Sequence, residues 1–399
     1  MSGVTSGCEA AKPRPVNPIF ADQPTSIFTK MSDAARAHDA VNLGQGFPDF
    51  GWPDDVVAKA AEALHTGSNQ YAPMWGLPIL REAVAAHYRD HQGLHIQPDQ
   101  VIVTSGATEA IAAAILALVS PGDEVLLFQP LYDAYLPLVR RAGGIAKLIR
   151  LIPPLWRVTE DALAAAFSER TRLVIFNNPH NPTSRVFSSE ELSLLARYCV
   201  RHDALVLSDE VWEHVIFDGA AHIPLASLPG MAERTVKVGS AGKIFSLTGW
   251  KVGWAVAPPA LVHAFAAAHQ FIAFSTAPPL QTAVAYGLAK ERPYFEGMRA
   301  GFAASRDTLV AALGEAGFVT LPAQGSYFLS IDLAASGIAA PDAEFCDRAV
   351  RECGIAAIPI GAFYDDDPVT NVVRLCFAKQ EETLSKGVSG LRKARDLFT

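Results

Sequence analysis

The chain has little that points to a membrane, a metal or a nucleic acid. Its longest unbroken apolar run, Ala110 to Val119, is about half of what a bilayer span requires, so no membrane partner is expected. Cysteine is sparse and odd in number. Cys8, Cys199, Cys346, Cys353 and Cys376 are scattered without metal-ligand spacing, which argues against a disulfide framework, gives no reason to expect a metal, and suits a reducing cytosol. Basic residues are outnumbered, 33 Lys and Arg against 41 Asp and Glu for a net charge of −8, and no basic stripe appears, so a nucleic-acid partner is not expected. There is no internal repeat and no low-complexity segment. Thr5-Ser6-Gly7-Cys8 has the look of a lipoprotein cleavage site, but no basic or apolar segment precedes it. A signal peptide is therefore not expected, and the chain reads as soluble and cytoplasmic.

What is present is an ordinary globular composition, 50% hydrophobic and 19% charged over 399 residues, long enough for one large and one smaller domain. Residues 1 to about 16, polar and interrupted by Pro13 and Pro15, read as a flexible arm. The central feature is the stretch Val238 to Trp254. It sets Lys243 among Gly, Ala and Ser, behind a buried strand expected at Thr235 to Val238 and ahead of a second cation, Lys251. Desolvation and a nearby cation both disfavour a charged lysine, and a neutral lysine is a nucleophile toward carbonyls. The plain alternative is a solvated loop lysine. A phosphate loop is rejected, because that pattern needs glycine where Lys237 stands and Ser or Thr where Ile244 stands.

From Val101 the chain alternates strands and helices, which argues for a mainly parallel sheet with crossover helices. The strand Val101 to Thr104 turns through Ser105-Gly106-Ala107-Thr108 into a helix, and turn N–H groups with a positive helix end make a ready phosphate site. Tyr132 follows the strand Glu124 to Phe128, where open α/β sheets place ligands, or else it is a core aromatic. The apolar strand Leu173 to Phe176 ends in Asn177-Asn178-Pro179-His180-Asn181-Pro182-Thr183, and Asn-Pro bonds that turn tightly can aim an Asn181 amide. Asp209 ends the apolar strand that starts at Leu205, and a carboxylate there needs a partner. Earlier, Val41 to Phe50 is a short strand running into a glycine-rich turn at Gly44 and Gly46. Tyr71 stands in a loop, where packing alone would account for it. Near the end, Val372 to Phe377 is an apolar strand with one cation, Arg374, which without other information reads as an edge residue facing water.

Together these motifs resemble those of the fold-type I, pyridoxal-phosphate-dependent aminotransferases of class I/II, most closely the kynurenine and methionine aminotransferase branch. Ser240-x-x-Lys243 followed by Ser246-x-Thr248-Gly249-Trp250-Lys251-x-Gly253 is similar to the family's Schiff-base segment, and the likeness runs from about residue 25 to 395 with the motifs in the family's order. The resemblance implies an α/β fold: a mainly parallel seven-stranded sheet sandwiched by helices as a large cofactor-binding domain, 47–289, with a smaller α+β domain from 17–46 and 290–399. It implies pyridoxal 5′-phosphate held by Lys243, by Gly106, Ala107, Thr108, Ser240 and Lys251, by Tyr132 against the ring, by Asn181 at the phenolic oxygen, and by Asp209 at the pyridine nitrogen. Tyr71 is implied to cross to a partner subunit's cofactor phosphate in an obligate homodimer. Arg374 would grip the substrate α-carboxylate, with a backbone contact from Gly46, and Phe28, Tyr132, Phe274 and Tyr327 would line an aromatic pocket. Three positions depart from the family's pattern: Trp212 where tyrosine is common, Ser184 where glycine usually follows, and Ser275 where kynurenine-active relatives often carry histidine.

The function so implied is transamination. A neutral aromatic or sulfur-containing L-amino acid would give its amino group to a 2-oxo acid such as 2-oxoglutarate in a ping-pong cycle, with Lys243 as nucleophile and proton shuttle. A cysteine-S-conjugate β-lyase would use the same Lys243 and Asp209, and no single residue separates the two. A cofactor-sensing regulator is disfavoured by the shortness of the segment ahead of residue 25, and a nucleotide-binding protein by the failed phosphate-loop pattern.

Overall fold

The computed structural model describes residues 16–21 and 24–399. The arm expected at residues 1–16 lies, apart from Val16, outside the described residues. Within them, thirteen strands form three sheets. In chain order these are β1 (Val41–Asn42), β2 (Val101–Thr104), β3 (Glu124–Gln129), β4 (Ile145–Arg150), β5 (Thr171–Asn177), β6 (Leu205–Asp209), β7 (Thr235–Ser240), β8 (Gly253–Val256), β9 (Val319–Thr320), β10 (Phe328–Asp332), β11 (Ile355–Ala356), β12 (Ile358–Pro359) and β13 (Val372–Cys376).

The seven-stranded sheet runs in the order β2-β8-β7-β6-β5-β3-β4. β8 alone is antiparallel to both its neighbours, and the other pairings are parallel. Its middle strands are apolar runs because helices cover both faces: β6 is buried throughout, and β5 exposes only Arg172. The helix Ala107–Leu118 buries Ala110, Ile111, Ala113, Ala114, Ile115 and Leu118. The helix Ser189–Arg201 is amphipathic and packs Leu192, Leu195, Ala196 and Cys199 inward. Each leucine or isoleucine among them contributes roughly 1.5–3 kcal/mol on burial, and each alanine less. The second helix starts in a capping box: Ser188 Oγ accepts the Glu191 N–H at 3.3 Å, and Glu191 Oε2 accepts the Ser188 N–H at 3.0 Å.

Residues after 290 build an antiparallel sheet of order β12-β13-β10-β9. Arg374 pairs with Ser330 on one side and Ile358 on the other, so it sits on an inner strand and is 1% exposed. The reading of Arg374 as an edge residue is thereby corrected. β1 pairs in parallel with β11, Val41 opposite Ile355, which lays the turn after Asn42 against this second sheet.

Behind the seven-stranded sheet lies a buried polar knot. Glu210, Glu213 and His222 bring ligand atoms within 4.8 Å of one another, but the Lys237 ammonium bonds both carboxylates, Glu213 at 2.7 Å and Glu210 more closely still. The lysine supplies the cation that two buried carboxylates need.

Candidate active site

The carboxyl ends of β2, β3, β5, β6 and β7, together with the start of the reversed strand β8, all meet at one edge of the large sheet. From that edge come Gly106, Ala107 and Thr108, then Tyr132, then Asn177 and Asn181, then Asp209, then Ser240 and Lys243, and finally Lys251. The second sheet supplies Arg374 and Phe328, the turn after β1 supplies Gly46, and the helix Ile27–Ala37 supplies Phe28. All of these line one cavity of about 300 Å³, as does Trp212.

Tyr327 and Phe274, expected in its wall, do not line it, and neither does Tyr71, expected at a partner subunit's site. Tyr327 is fully buried one layer back, donating its hydroxyl hydrogen to the Gly46 carbonyl at 2.6 Å and accepting from Lys243 Nζ at 3.3 Å. Phe328, the next residue and the first of β10, takes the lining position instead. Tyr71 and Phe274 lie outside the lining, 86% and 39% exposed, with their rings edge to face at 5.7 Å. Tyr327 thus meets the site through its hydroxyl on Lys243, and Phe274 stands with Tyr71 outside the cavity of its own subunit.

Lys243 stands on a single helical turn, Ala241–Ile244, directly after β7. Its Nζ is 4.6 Å from the centre of the Trp212 ring. The side chain opens onto the cavity but is otherwise enclosed by protein, and this burial pulls its pKa down to about 8. Cys376 and Asp209 oppose the shift, while Arg374 and Lys251 add to it. Burial raises the pKa of Asp209, and hydrogen bonds from the Tyr135 hydroxyl at 2.5 Å and the Val211 N–H at 3.4 Å work the other way. Tyr135 escaped the sequence reading although it stands three residues after Tyr132; the partner that gives it a role, Asp209, is far along the chain.

Both Asn–Pro bonds, Asn178–Pro179 and Asn181–Pro182, are cis. The Asn181 N–H donates to Asn177 Oδ1 at 2.7 Å, and Asn177 Nδ2 donates to the Asp209 carbonyl at 2.8 Å. Asn181 Oδ1 accepts from Arg374 Nη1 at 2.9 Å, so its amide hydrogens remain for a ligand. Arg374 Nη2 donates to the Gly44 carbonyl at 3.0 Å, and the guanidinium stacks on Phe328, 3.8 Å from the ring centre. Burial lowers its pKa to about 10, which leaves it charged at neutral pH. Its Nε is buried without a partner.

Opposite, Gly106 precedes the helix Ala107–Leu118 with a left-handed backbone, φ 78°. A Cβ there would stand 3.0 Å from Lys251 Nζ, so glycine serves both the turn and the close approach of the amine. A helix N-terminus and an ammonium converge on this corner, with the Thr108 and Ser240 hydroxyls beside them.

A model of the family described as aminotransferase class I and II matches residues 38–391. The chain belongs to that family. It is similar to methionine aminotransferase of Escherichia coli K12, 43% identical over 372 residues covering 92% of this chain and 96% of that one. It is 42% identical over 379 residues to a probable N-succinyldiaminopimelate aminotransferase of Mycobacterium tuberculosis, again covering 92% of this chain and 95% of the relative. A kynurenine–oxoglutarate transaminase of Dictyostelium discoideum is 36% identical over 93% of this chain and 94% of its own. Among solved structures, that of the Mycobacterium tuberculosis N-succinyldiaminopimelate aminotransferase superposes with a TM-score of 0.92 at 42% identity, covering 96% of this chain and all of that one. The protein is thus an aminotransferase, a class that acts on amino and 2-oxo acids with pyridoxal 5′-phosphate. Among the described residues no helix is long and apolar enough to cross a membrane.

The residues of this aminotransferase fit that cofactor. The Gly106–Lys251 corner suits a phosphate, the buried Asp209 carboxylate a ring nitrogen, and the weakly basic Lys243 amine a carbonyl carbon. Where the family's pattern has glycine, Ser184 keeps the left-handed backbone, φ 61°, at a cost of about 1–2 kcal/mol, and its hydroxyl donates to the Phe328 carbonyl at 2.7 Å. That bond ties the Asn-Pro turn to the strand whose phenylalanine stacks on Arg374.

Proposed function

We propose that this aminotransferase takes a neutral amino acid with an aromatic or thioether side chain as donor. The observation that carries the reading is the charge inventory of the cavity. Among the described lining residues only Lys243, Lys251 and Arg374 are cations, and each has a role that leaves none for a second substrate carboxylate. Phe28, Tyr132, Trp212 and Phe328 offer apolar wall instead.

In this reading Lys251 and the Gly106–Thr108 turn would hold the cofactor phosphate, and Tyr132 would stand against its ring. Asn181 would donate to the phenolic oxygen, and Asp209 would hold a proton on the pyridine nitrogen. Bound there, pyridoxal phosphate supplies an electron sink conjugated to the substrate Cα. Arg374 fixes the α-carboxylate through two parallel hydrogen bonds and so sets the direction of the Cα–H bond. Lys243 Nζ, neutral in part because it is buried, would take the proton from the substrate Cα and return it on the same face of the site. The aromatic wall excludes water from that transfer.

The reading also includes a homodimer in which Tyr71 serves the partner's site. Its support is that Tyr71 is exposed and stands outside the lining of its own subunit's site cavity. The division into a large unit, 47–289, and a smaller one from 17–46 and 290–399 belongs to the same proposal and is supported by the β1–β11 pairing. The test is a donor screen with methionine, phenylalanine, kynurenine and N-succinyldiaminopimelate, each against 2-oxoglutarate and a neutral 2-oxo acid. Methionine or phenylalanine should give the highest kcat/KM; preference for N-succinyldiaminopimelate would overturn the substrate assignment and leave the aminotransferase standing.

A further inference from the structure

Outside the cavity lining, one buried ion pair touches three of the segments that shape the site. Glu109 is the third residue of the helix Ala107–Leu118, one step past the phosphate corner, and His269 lies near the end of the helix Pro259–Gln270. Their side chains are 6% and 0% exposed. One Glu109 oxygen meets His269 Nδ1 at 2.5 Å, and the other accepts the N–H of Ser105, the residue before Gly106, at 2.5 Å. His269 Nε2 lies 2.9 Å from the Met74 carbonyl, an acceptor only, so this nitrogen carries hydrogen. Nδ1 faces a carboxylate, and hydrogens on both nitrogens make the ring an imidazolium. Burial works against that charge, and the hydrogen bond and charge of Glu109 outweigh it, leaving the pKa of His269 raised. The His269 carbonyl accepts the N–H groups of Ile272, Ala273 and Phe274 at 3.0, 3.3 and 3.3 Å. One histidine thus joins the peptide entering the phosphate corner, the loop that carries Tyr71, and the turn that carries Phe274.

A carboxylate in the first turn of the helix does two opposed things. It gives the buried Ser105 N–H a strong acceptor and so fixes the turn. It also sets a negative charge beside the place where a phosphate dianion would bind, offsetting part of what the helix end and Lys251 provide. A buried cation against that carboxylate removes the second effect and keeps the first.

We propose that His269 is a positioning residue for the cofactor phosphate: its imidazolium neutralises Glu109, so that Glu109 can pin the Ser105–Gly106 turn without repelling the phosphate. The proposal rests on the assignment of Gly106–Thr108 and Lys251 as the phosphate site. It is tested by titrating cofactor-free protein with pyridoxal 5′-phosphate and, separately, with pyridoxal, which lacks the phosphate, following intrinsic fluorescence. His269→Gln, which keeps a donor but not the charge, should weaken pyridoxal phosphate on the order of tenfold and leave pyridoxal within about twofold. Adding Glu109→Gln should restore most of the lost affinity, since neither charge then remains. Equal weakening of both ligands, or no recovery in the double variant, would show that His269 only supports the fold and would overturn the proposal. Should His269→Gln alone fail to fold, the neutral double variant decides: wild-type affinity for both ligands supports the proposal, and selective loss of pyridoxal phosphate refutes it. Lys251→Ala separates the two levels of inference. If it leaves the preference for pyridoxal phosphate over pyridoxal unchanged, the phosphate site itself is misassigned; if it abolishes the preference while His269→Gln does not alter it, only the role of His269 fails.

Discussion

Trace acetylation of the cofactor-free protein, read peptide by peptide by mass spectrometry from about pH 6 to about pH 11, should show Lys243 becoming reactive with a midpoint near pH 8. At pH 7 a lysine with that pKa is neutral in about one molecule in eleven; one at 10.5 is neutral in about one in three thousand. The fold therefore supplies about three hundred times more nucleophile at neutral pH. The same difference, from 10.5 to about 8, corresponds to about 3 kcal/mol held against the charged amine. The sign is unfavourable to folding. Because the folded-state pKa is the lower one, the cost is fully present below pH 8 and fades as the pH rises toward 10.5. Lys243→Met should accordingly stabilise the cofactor-free protein near pH 7 by up to about 3 kcal/mol in chemical denaturation, and by little at high pH. Neighbouring charges give directions as well. Lys251→Met should raise the midpoint and Asp209→Asn should lower it, each by less than burial does. A midpoint in the folded protein equal to that in urea, together with no stability gain in Lys243→Met, would refute the reasoning.

Arg374→Ala should lose roughly 2–5 kcal/mol of transition-state stabilisation with an amino acid donor, and Arg374→Lys should recover little of it, because an ammonium lacks the planar fork. Equal loss with an amine that lacks a carboxylate would show that Arg374 supports only the fold. Asp209→Ala should retain cofactor yet fall by orders of magnitude in single-turnover proton transfer, with Tyr135→Phe, which removes one hydrogen bond to that carboxylate, giving a smaller decrease; a near-normal rate in Asp209→Ala would contradict its role. Gly46→Ala places a Cβ 2.7 Å from the Phe328 ring and should cost about 1–3 kcal/mol of stability while raising KM, because Phe328 stacks on Arg374; an unchanged KM would show that the stack does not position the guanidinium. Mixing inactive Tyr71→Phe and Lys243→Ala subunits should regenerate activity at the sites where wild-type Tyr71 and Lys243 meet, and strictly additive subunits would argue against a shared site.

Most of the site could be read from the chain because buried parallel strands announce themselves as short apolar runs, and ligands gather where such runs end. Asn181, Asp209, Ser240 and Lys243 all stand at such ends. The reversal of β8 left no mark, since Gly253–Val256 reads the same in either direction. Arg374 could not be placed by pattern, because a cation in an apolar strand is as consistent with an edge as with a centre. Its position depends on Ser330 and Ile358, which flank it from distant parts of the chain. Tyr327 and Phe328 are adjacent aromatics, and which of them reaches the cavity is set by a register with Cys376 that composition does not encode. Long-range polar pairing was equally hidden: Lys237 was notable in the sequence only for spoiling a phosphate loop, and its meaning came from Glu210 and Glu213 folding around it.

The two-residue strand β1 also orders events in time. Val41 and Asn42 have nothing to lie against until Ile355 and Ala356 exist, and the Leu43 carbonyl waits for the N–H of Cys376. On the ribosome, Phe28 and Gly46 emerge early, yet the groups that seat them, Arg374 and Phe328, are made last. The large sheet can collapse meanwhile, with its open edge presenting Asp209 and Lys243 to water. The pocket therefore cannot close before Arg374 is made, and the nascent chain carries an unseated amphipathic helix, Ile27–Ala37, through most of its synthesis, in the interval when contacts between residues far apart in sequence leave a chain most open to misassembly.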